Sequence, residues 1–171
     1  MIKYKIGDLL KDCSATFLLH QTNCMGIMGG GIAAQIRKLN PVVNKDYMRL
    51  CSNQQMVGDL LGTIQILEVD NFEPLNPQFI VNCFGQKEIS SYSKMTSYDA
   101  LDECFIAMRK HCHRVFPEGC TIGIPYKIGC GLGGGDWKIV EAIINKNFNN
   151  TNITVEIWTL PEYAEELSSH D

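Results

Sequence analysis

Residues 15–36 read ATFLLHQTNCMGIMGGGIAAQI: an apolar run, four polar residues, a glycine-rich turn, then a pattern with helical spacing. Phe17, Leu18 and Leu19 in succession mark a strand buried on both faces, expected over residues 15–20, because only a sheet covered on two sides tolerates unbroken apolar residues. Gly26, Gly29, Gly30 and Gly31 follow directly, and residues 32–39 continue as a helix. The same order recurs later. Residues 120–125 form a strand-like stretch, Gly129, Gly131, Gly133, Gly134 and Gly135 follow, and residues 137–148 are helical in pattern. Nine of the 15 glycines thus fall into two clusters. Clustered glycine costs backbone entropy unless something must approach the chain closely.

Outward from these two runs, strands are expected at residues 2–6, 61–69, 79–84 and 153–159, and a helix at 42–51 opened by Pro41. A turn is expected at Gly58-Asp59, a loop around Pro74 and Pro77, and a polar, serine-rich loop over residues 86–95. Thr96 with Asp99 reads as a capping box opening a long helix, whose positions Leu101, Cys104, Phe105, Met108, Cys112 and Val115 keep helical spacing. The tail from Pro161 has a helical pattern at best. Strands alternating with helices predict one α/β domain over residues 1–171, its sheet covered on both faces.

Composition narrows the function. Fifteen Lys+Arg against 19 Asp+Glu give a net charge of −4, with no basic run, so a groove held by phosphate neutralisation is a poor fit. No apolar stretch approaches a membrane span and no signal-peptide core follows Met1, so a soluble cytosolic protein is expected, or a nuclear one in a eukaryotic source. Eight cysteines without a CxxC pair read as reduced, mostly buried thiols. His111-Cys112-His113 invites a metal site, but neighbours one and two apart on a helix point in different directions, and no metal is expected.

A glycine loop between strand and helix is a ready anion site, since free N–H groups and the helix dipole face the ligand. Two such loops in one small domain suggest two phosphates, hence a diphosphate; tight strand–helix packing is the plainer alternative. Gly129-x-Gly131-x-x-Gly134 fits the dinucleotide fingerprint, yet only 37 residues follow Gly134, too few for the rest of a Rossmann sheet. A Walker A loop is excluded, because the chain contains no Gly-Lys pair. His20, Gln21, Thr22 and Asn23 emerge at the carboxyl end of the buried strand, where ligands bind in open α/β sheets. His20 is a candidate proton donor or a hydrogen-bonded histidine of the strand end; Asn23 either bonds a ribose hydroxyl or caps the turn. Asp136 follows the second cluster as a natural N-cap that also has access to a ligand.

The run NCMGIMGGGIAAQI (residues 23–36), paired with PYKIGCGLGGGDW (residues 125–137), resembles the macrodomain family of ADP-ribose binders, with Gly7-Asp8-Leu9 and Trp158-Thr159-Leu160 adding to the match. The branch resembled holds terminal ADP-ribose glycohydrolases, ADP-ribose 1″-phosphate phosphatases and antitoxin macrodomains acting on ADP-ribosylated DNA. The resemblance implies a three-layer α/β/α fold with a mixed central sheet, no cofactor, and a monomer. Its expected partner is ADP-ribose or an ADP-ribosylated substrate, with nucleic acid only when ADP-ribosylated. It further implies that Asp8 accepts from the adenine amino group, Leu9 lines that pocket near Leu160, and Asn23 faces the distal ribose. Gly29, Gly30, Gly31 and Ile32 would wrap one side of the diphosphate; Ile128, Gly129, Cys130, Gly131, Leu132 and Gly133 would wrap the other. De-ADP-ribosylating members of this branch carry a lysine nucleophile where this chain has Gln86, with Lys87 one residue later. Glutamine cannot form a Schiff-base adduct. The expected activity is therefore hydrolysis at the distal ribose, with His20, Asn23 and Asp136 as catalytic residues. A non-catalytic reader of ADP-ribosylated macromolecules and an NAD-binding Rossmann-like module are the rivals.

Overall fold

The computed structural model describes residues 1–53, 60–69, 79–90 and 92–169. The expected turn at Gly58-Asp59 and the Pro74/Pro77 loop lie outside the described residues. Six strands, β1 (Ile2–Ile6), β2 (Phe17–Asn23), β3 (Ile64–Glu68), β4 (Phe79–Gln86), β5 (Thr121–Pro125) and β6 (Thr154–Thr159), form one sheet in the order β1-β6-β5-β2-β4-β3. All neighbours are parallel except β3, which runs antiparallel to β4 at the edge, so the sheet is mixed as expected.

Period-two alternation sends β2 and β4 side chains into two separate apolar layers. Phe17, Leu19, Val81 and Cys83 pack with α4 (Tyr98–Val115) and α5 (Trp137–Phe148). Leu18, Ile80 and Phe84 pack with α1 (Leu9–Asp12), α2 (Gly31–Leu39) and α3 (Pro41–Ser52). Helices therefore cover both faces, as the uninterrupted apolar strands require. Among the described residues no helix is long and apolar enough to cross a membrane.

Several boundaries shift by a few residues, β4 running on to Gln86, and three of the differences have a clear local reason. β2 continues to Asn23 because Gln21, Thr22 and Asn23 still pair with β4, although apolarity stops at Leu19. β3 starts at Ile64 because Gly62, at φ +84°, turns the chain, with the Thr63 amide and hydroxyl both donating to the Leu60 carbonyl. Finally, α4 starts at Tyr98, not at Thr96: Ser97 is its N-cap, its hydroxyl accepting from the Ala100 amide at 3.2 Å. Thr96 is free to serve another purpose. The tail from Pro161 to Ser169 is a 3-10 helix.

Candidate functional site

The carboxyl ends of β2, β4 and β5 open onto a cleft of two joined chambers. The smaller, about 440 Å³, is walled by Asp8, Leu9, Trp158, Thr159 and Leu160 with Tyr163 and Glu166 of the 3-10 helix. The larger, about 890 Å³, is walled by Gln21, Thr22 and Asn23, by both glycine loops, and by Gln86, Ile89, Ser90, Tyr92, Ser93 and Lys94. Gly31, Ile32, Pro125, Tyr126 and Lys127 belong to both walls, so the chambers communicate there.

The two glycine loops meet over this junction. A Cβ added to Gly30, the N-cap of α2, would lie 2.5 Å from Leu132 Cδ1, so the exposed Leu132 side chain crosses from the second loop to the first. Gly31, at φ +55°, opens α2 with nothing within 4 Å of an added Cβ. At Gly129, φ is +74° and an added Cβ would lie 2.6 Å from Gln21 Oε1. Glycine here is favoured by the left-handed backbone, and the tip of the Gln21 side chain takes the space a Cβ would need. Of the second loop, Ile128, Gly129, Gly131, Leu132 and Gly133 face the larger chamber. Cys130 is not among the lining residues; its thiol donates to the Ile128 carbonyl at 3.4 Å and packs against the core. The structure does not bring Cys130 to the chamber as expected, and its amide already donates to the Lys127 carbonyl at 2.9 Å.

Beneath the loops lies a side-chain network that sequence reasoning missed. Gln21 Nε2 donates to Gln86 Oε1 and to Thr96 Oγ1, both at 2.8 Å, and Thr96 Oγ1 donates to the Gly129 carbonyl at 2.7 Å. Gln86 Nε2 donates onward to the Glu88 carbonyl at 2.9 Å. Three elements are thereby tied to the second glycine loop. The signal was present in Gln21, a long polar side chain at the end of an apolar strand; its partners are far away in sequence.

Asn23 lines the larger chamber, but its Oδ1 accepts from the Met25 amide at 2.9 Å and from Tyr47 Oη at 2.8 Å. Its Nδ2 donates to the Ile27 carbonyl at 2.8 Å, which leaves one N–H for a ligand. Of the alternatives weighed from sequence, the structure shows the turn cap, and the Asn23 side chain also lines the chamber. Asp8 also has two tasks. Its Oδ1 caps α1 through the Leu10 amide at 2.8 Å and its Oδ2 pairs with Lys11 at 3.3 Å, while the residue lines the smaller chamber with Leu9 and Leu160.

The structure does not bring His20 to the cleft. It is fully buried, and on its face of β2 it points into the layer beneath α2 and α3. His20 Nε2 lies 2.6 Å from Asn82 Oδ1, Asn82 Nδ2 donates to Gln65 Oε1 at 3.0 Å, and Gln65 Nε2 donates to the Asp46 carbonyl at 3.3 Å. This ladder fixes the tautomer: Asn82 presents its oxygen, so Nε2 carries the hydrogen. Nδ1 is buried without a partner, and burial pushes the pKa down to about 4. A neutral ring sealed from the cleft cannot shuttle a proton there, which corrects the expected catalytic role. Asp136 is the exposed N-cap of α5, its Oδ1 accepting from the Lys138 amide at 2.9 Å and its own amide donating to Tyr98 Oη at 2.9 Å. It lines neither chamber. Lys87 is exposed and off the chamber wall. His111 sits edge-on to the Phe17 ring while Cys112 is buried in the core, and no metal-binding cluster occurs among the described residues.

The profile of the Macro domain family matches residues 19–144, most of the chain and both glycine loops. This chain belongs to the Macro domain family. Among curated relatives, the macrodomain is 28% identical over 142 residues to the DNA ADP-ribosyl glycohydrolase of Mycobacterium tuberculosis, covering 82% of this chain but only 37% of that protein. It therefore spans little more than a third of that relative's length. It is also 28% identical over 165 residues to the ADP-ribose 1″-phosphate phosphatase of Candida albicans, covering 92% of this chain and 99% of that one. Among solved structures, the macrodomain of Mycobacterium tuberculosis DarG superposes with a TM-score of 0.77 at 24% identity, over 92% of this chain and 97% of that chain.

Proposed function

We propose that this macrodomain binds ADP-ribose along the joined chambers and hydrolyses a bond at the distal ribose, in ADP-ribose 1″-phosphate or an ADP-ribosyl adduct. The observation that carries the reading is the shared wall: an adenosine-sized chamber and a larger one meet where two glycine loops face each other. A diphosphate spans such a junction, accepting from backbone N–H groups of Gly30–Ile32, Gly129 and Gly131–Gly133. Asp8, Leu9 and Leu160 then receive the adenine, and the remaining N–H of Asn23 meets the distal ribose.

In the larger chamber Lys94 supplies positive charge to an anionic leaving group, its Nζ held 4.0 Å from the centre of the Tyr98 ring. The names of both relatives supply such groups, a phosphate in one and DNA in the other. Asp136, whose backbone amide donates to the same Tyr98, is the nearest carboxylate in sequence to the loop and the candidate for activating water, although it lies off the chamber wall. The reader alternative draws on a specific feature: among the described residues lining the larger chamber there is no Asp, Glu or His.

One experiment separates them. Calorimetry with ADP-ribose is run beside a panel of 1″-phosphate, 1″-O-acetyl, Glu-linked and DNA-linked ADP-ribose, scored by release of ADP-ribose. Turnover of one class is expected. Tight binding without any release would establish a reader, and absence of binding would overturn the cleft assignment.

A further inference from the structure

Lys127 is the one cation, among the described residues, in the wall of both chambers. It occupies the left-handed region at φ 58°, which disfavours a lysine and suits a glycine. Four of the residues around it, Gly129, Gly131, Gly133 and Gly134, are glycines, so the absence of glycine at this strained position points to use of the side chain. Lys127 Nζ lies 2.5 Å from Glu166 Oε2, and both side chains are 43% exposed. Glu166 belongs to the 3-10 helix Pro161–Ser169 and lines the smaller chamber. A half-exposed ion pair contributes little net stability, so the partners exchange readily.

We infer that Lys127 is the cation that anchors the ligand's diphosphate and selects for it, and that Glu166 is a carboxylate placeholder which the diphosphate displaces. The inference rests on the ADP-ribose reading above. Geometry and charge both favour it. The junction is where the diphosphate must pass, and a dianion approaching there meets Glu166 unless that carboxylate yields Lys127. A dianion forms stronger charge-assisted bonds to an ammonium than one carboxylate does. Binding thereby breaks the Lys127–Glu166 contact between the end of β5 and the 3-10 helix.

The test is calorimetry of ADP-ribose binding across a salt series, for wild type, Lys127→Met, Glu166→Gln and the double variant. Lys127→Gly serves as a second charge deletion that relaxes the backbone and so guards against misfolding. Both Lys127 variants should bind ADP-ribose roughly ten- to a hundredfold more weakly, with a flatter salt dependence. Glu166→Gln should bind several-fold more tightly, and this gain should shrink in the double variant. Wild-type binding with unchanged affinity in both Lys127 variants overturns this inference alone. A loss that leaves the salt dependence unaltered also overturns it, since that marks a structural role. Wild-type protein that fails to bind ADP-ribose overturns the underlying reading and this one together.

Discussion

His20 sits two residues from Leu18 on β2 and faces the same apolar layer, and its ring is held through Asn82 and Gln65 to the backbone of α3. Its pKa lies near 4 in the folded protein against 6.5 for the free side chain, because burial penalises the charged ring. Between those values the unfolded chain binds a proton that the folded chain does not. Stability must then fall as pH falls through the window from 6.5 towards 4, by up to about 1.4 kcal/mol per pH unit. Urea unfolding at pH 7 and pH 5 should show this loss, and His20→Gln, which keeps an N–H for Asn82, should reduce it. An equal loss in the variant would mean that other groups are responsible. The alternation Leu18, His20, Thr22 was present in the sequence, but the expectation of a catalytic His20 followed its place near the strand end instead. What the sequence could not show is that Asn82 stands beside it, since 62 residues separate the two.

At the scale of elements, both helix starts near the cleft depend on the residue just before them. Asp136 caps α5 as its position after the glycines suggested, whereas Ser97 rather than Thr96 caps α4. Two adjacent hydroxyl residues make a capping pattern ambiguous by one position, and the tertiary contact decides: Thr96 is taken by Gln21 and Gly129. Asp136→Ala should lower stability by about 1 kcal/mol, with Asp136→Asn largely restoring it. If Asp136 also activates water, the alanine variant loses turnover beyond what its melting temperature explains. Thr96→Val should act differently, because it removes a hydroxyl that serves both Gln21 Nε2 and the Gly129 carbonyl, leaving them only Gln86 Oε1 and the Gly135 amide. A destabilisation of about 1–3 kcal/mol is expected, together with weaker ADP-ribose binding as the second loop loosens. Unchanged affinity in Thr96→Val would show that the loop holds its shape without the network.

Over the whole molecule, the order of the elements and the two glycine loops were readable because each is a local pattern. The joined chambers were not, since their walls draw on β2, β4, β5 and the 3-10 helix, brought together only by the sheet order. The assembled cleft has a charge character that no single segment displays. Lys94 and Lys127 line the larger chamber with no carboxylate among its described lining residues, on a protein of net charge −4. An anion at the distal ribose is favoured there. The cationic nicotinamide of NAD would meet like charge, which also argues against the dinucleotide-module alternative. Ligand at a hundredfold excess over its dissociation constant stabilises by about 2.7 kcal/mol, or roughly 5–10 °C for a chain of this size. ADP-ribose and ADP-ribose 1″-phosphate should therefore raise the melting temperature more than equal concentrations of NAD, and the margin should narrow in high salt. Lys94→Met should erase most of the preference for the 1″-phosphate over ADP-ribose, while leaving the ADP-ribose shift itself nearly intact. NAD stabilising the protein as strongly as ADP-ribose, at low salt, would contradict this view of the chamber.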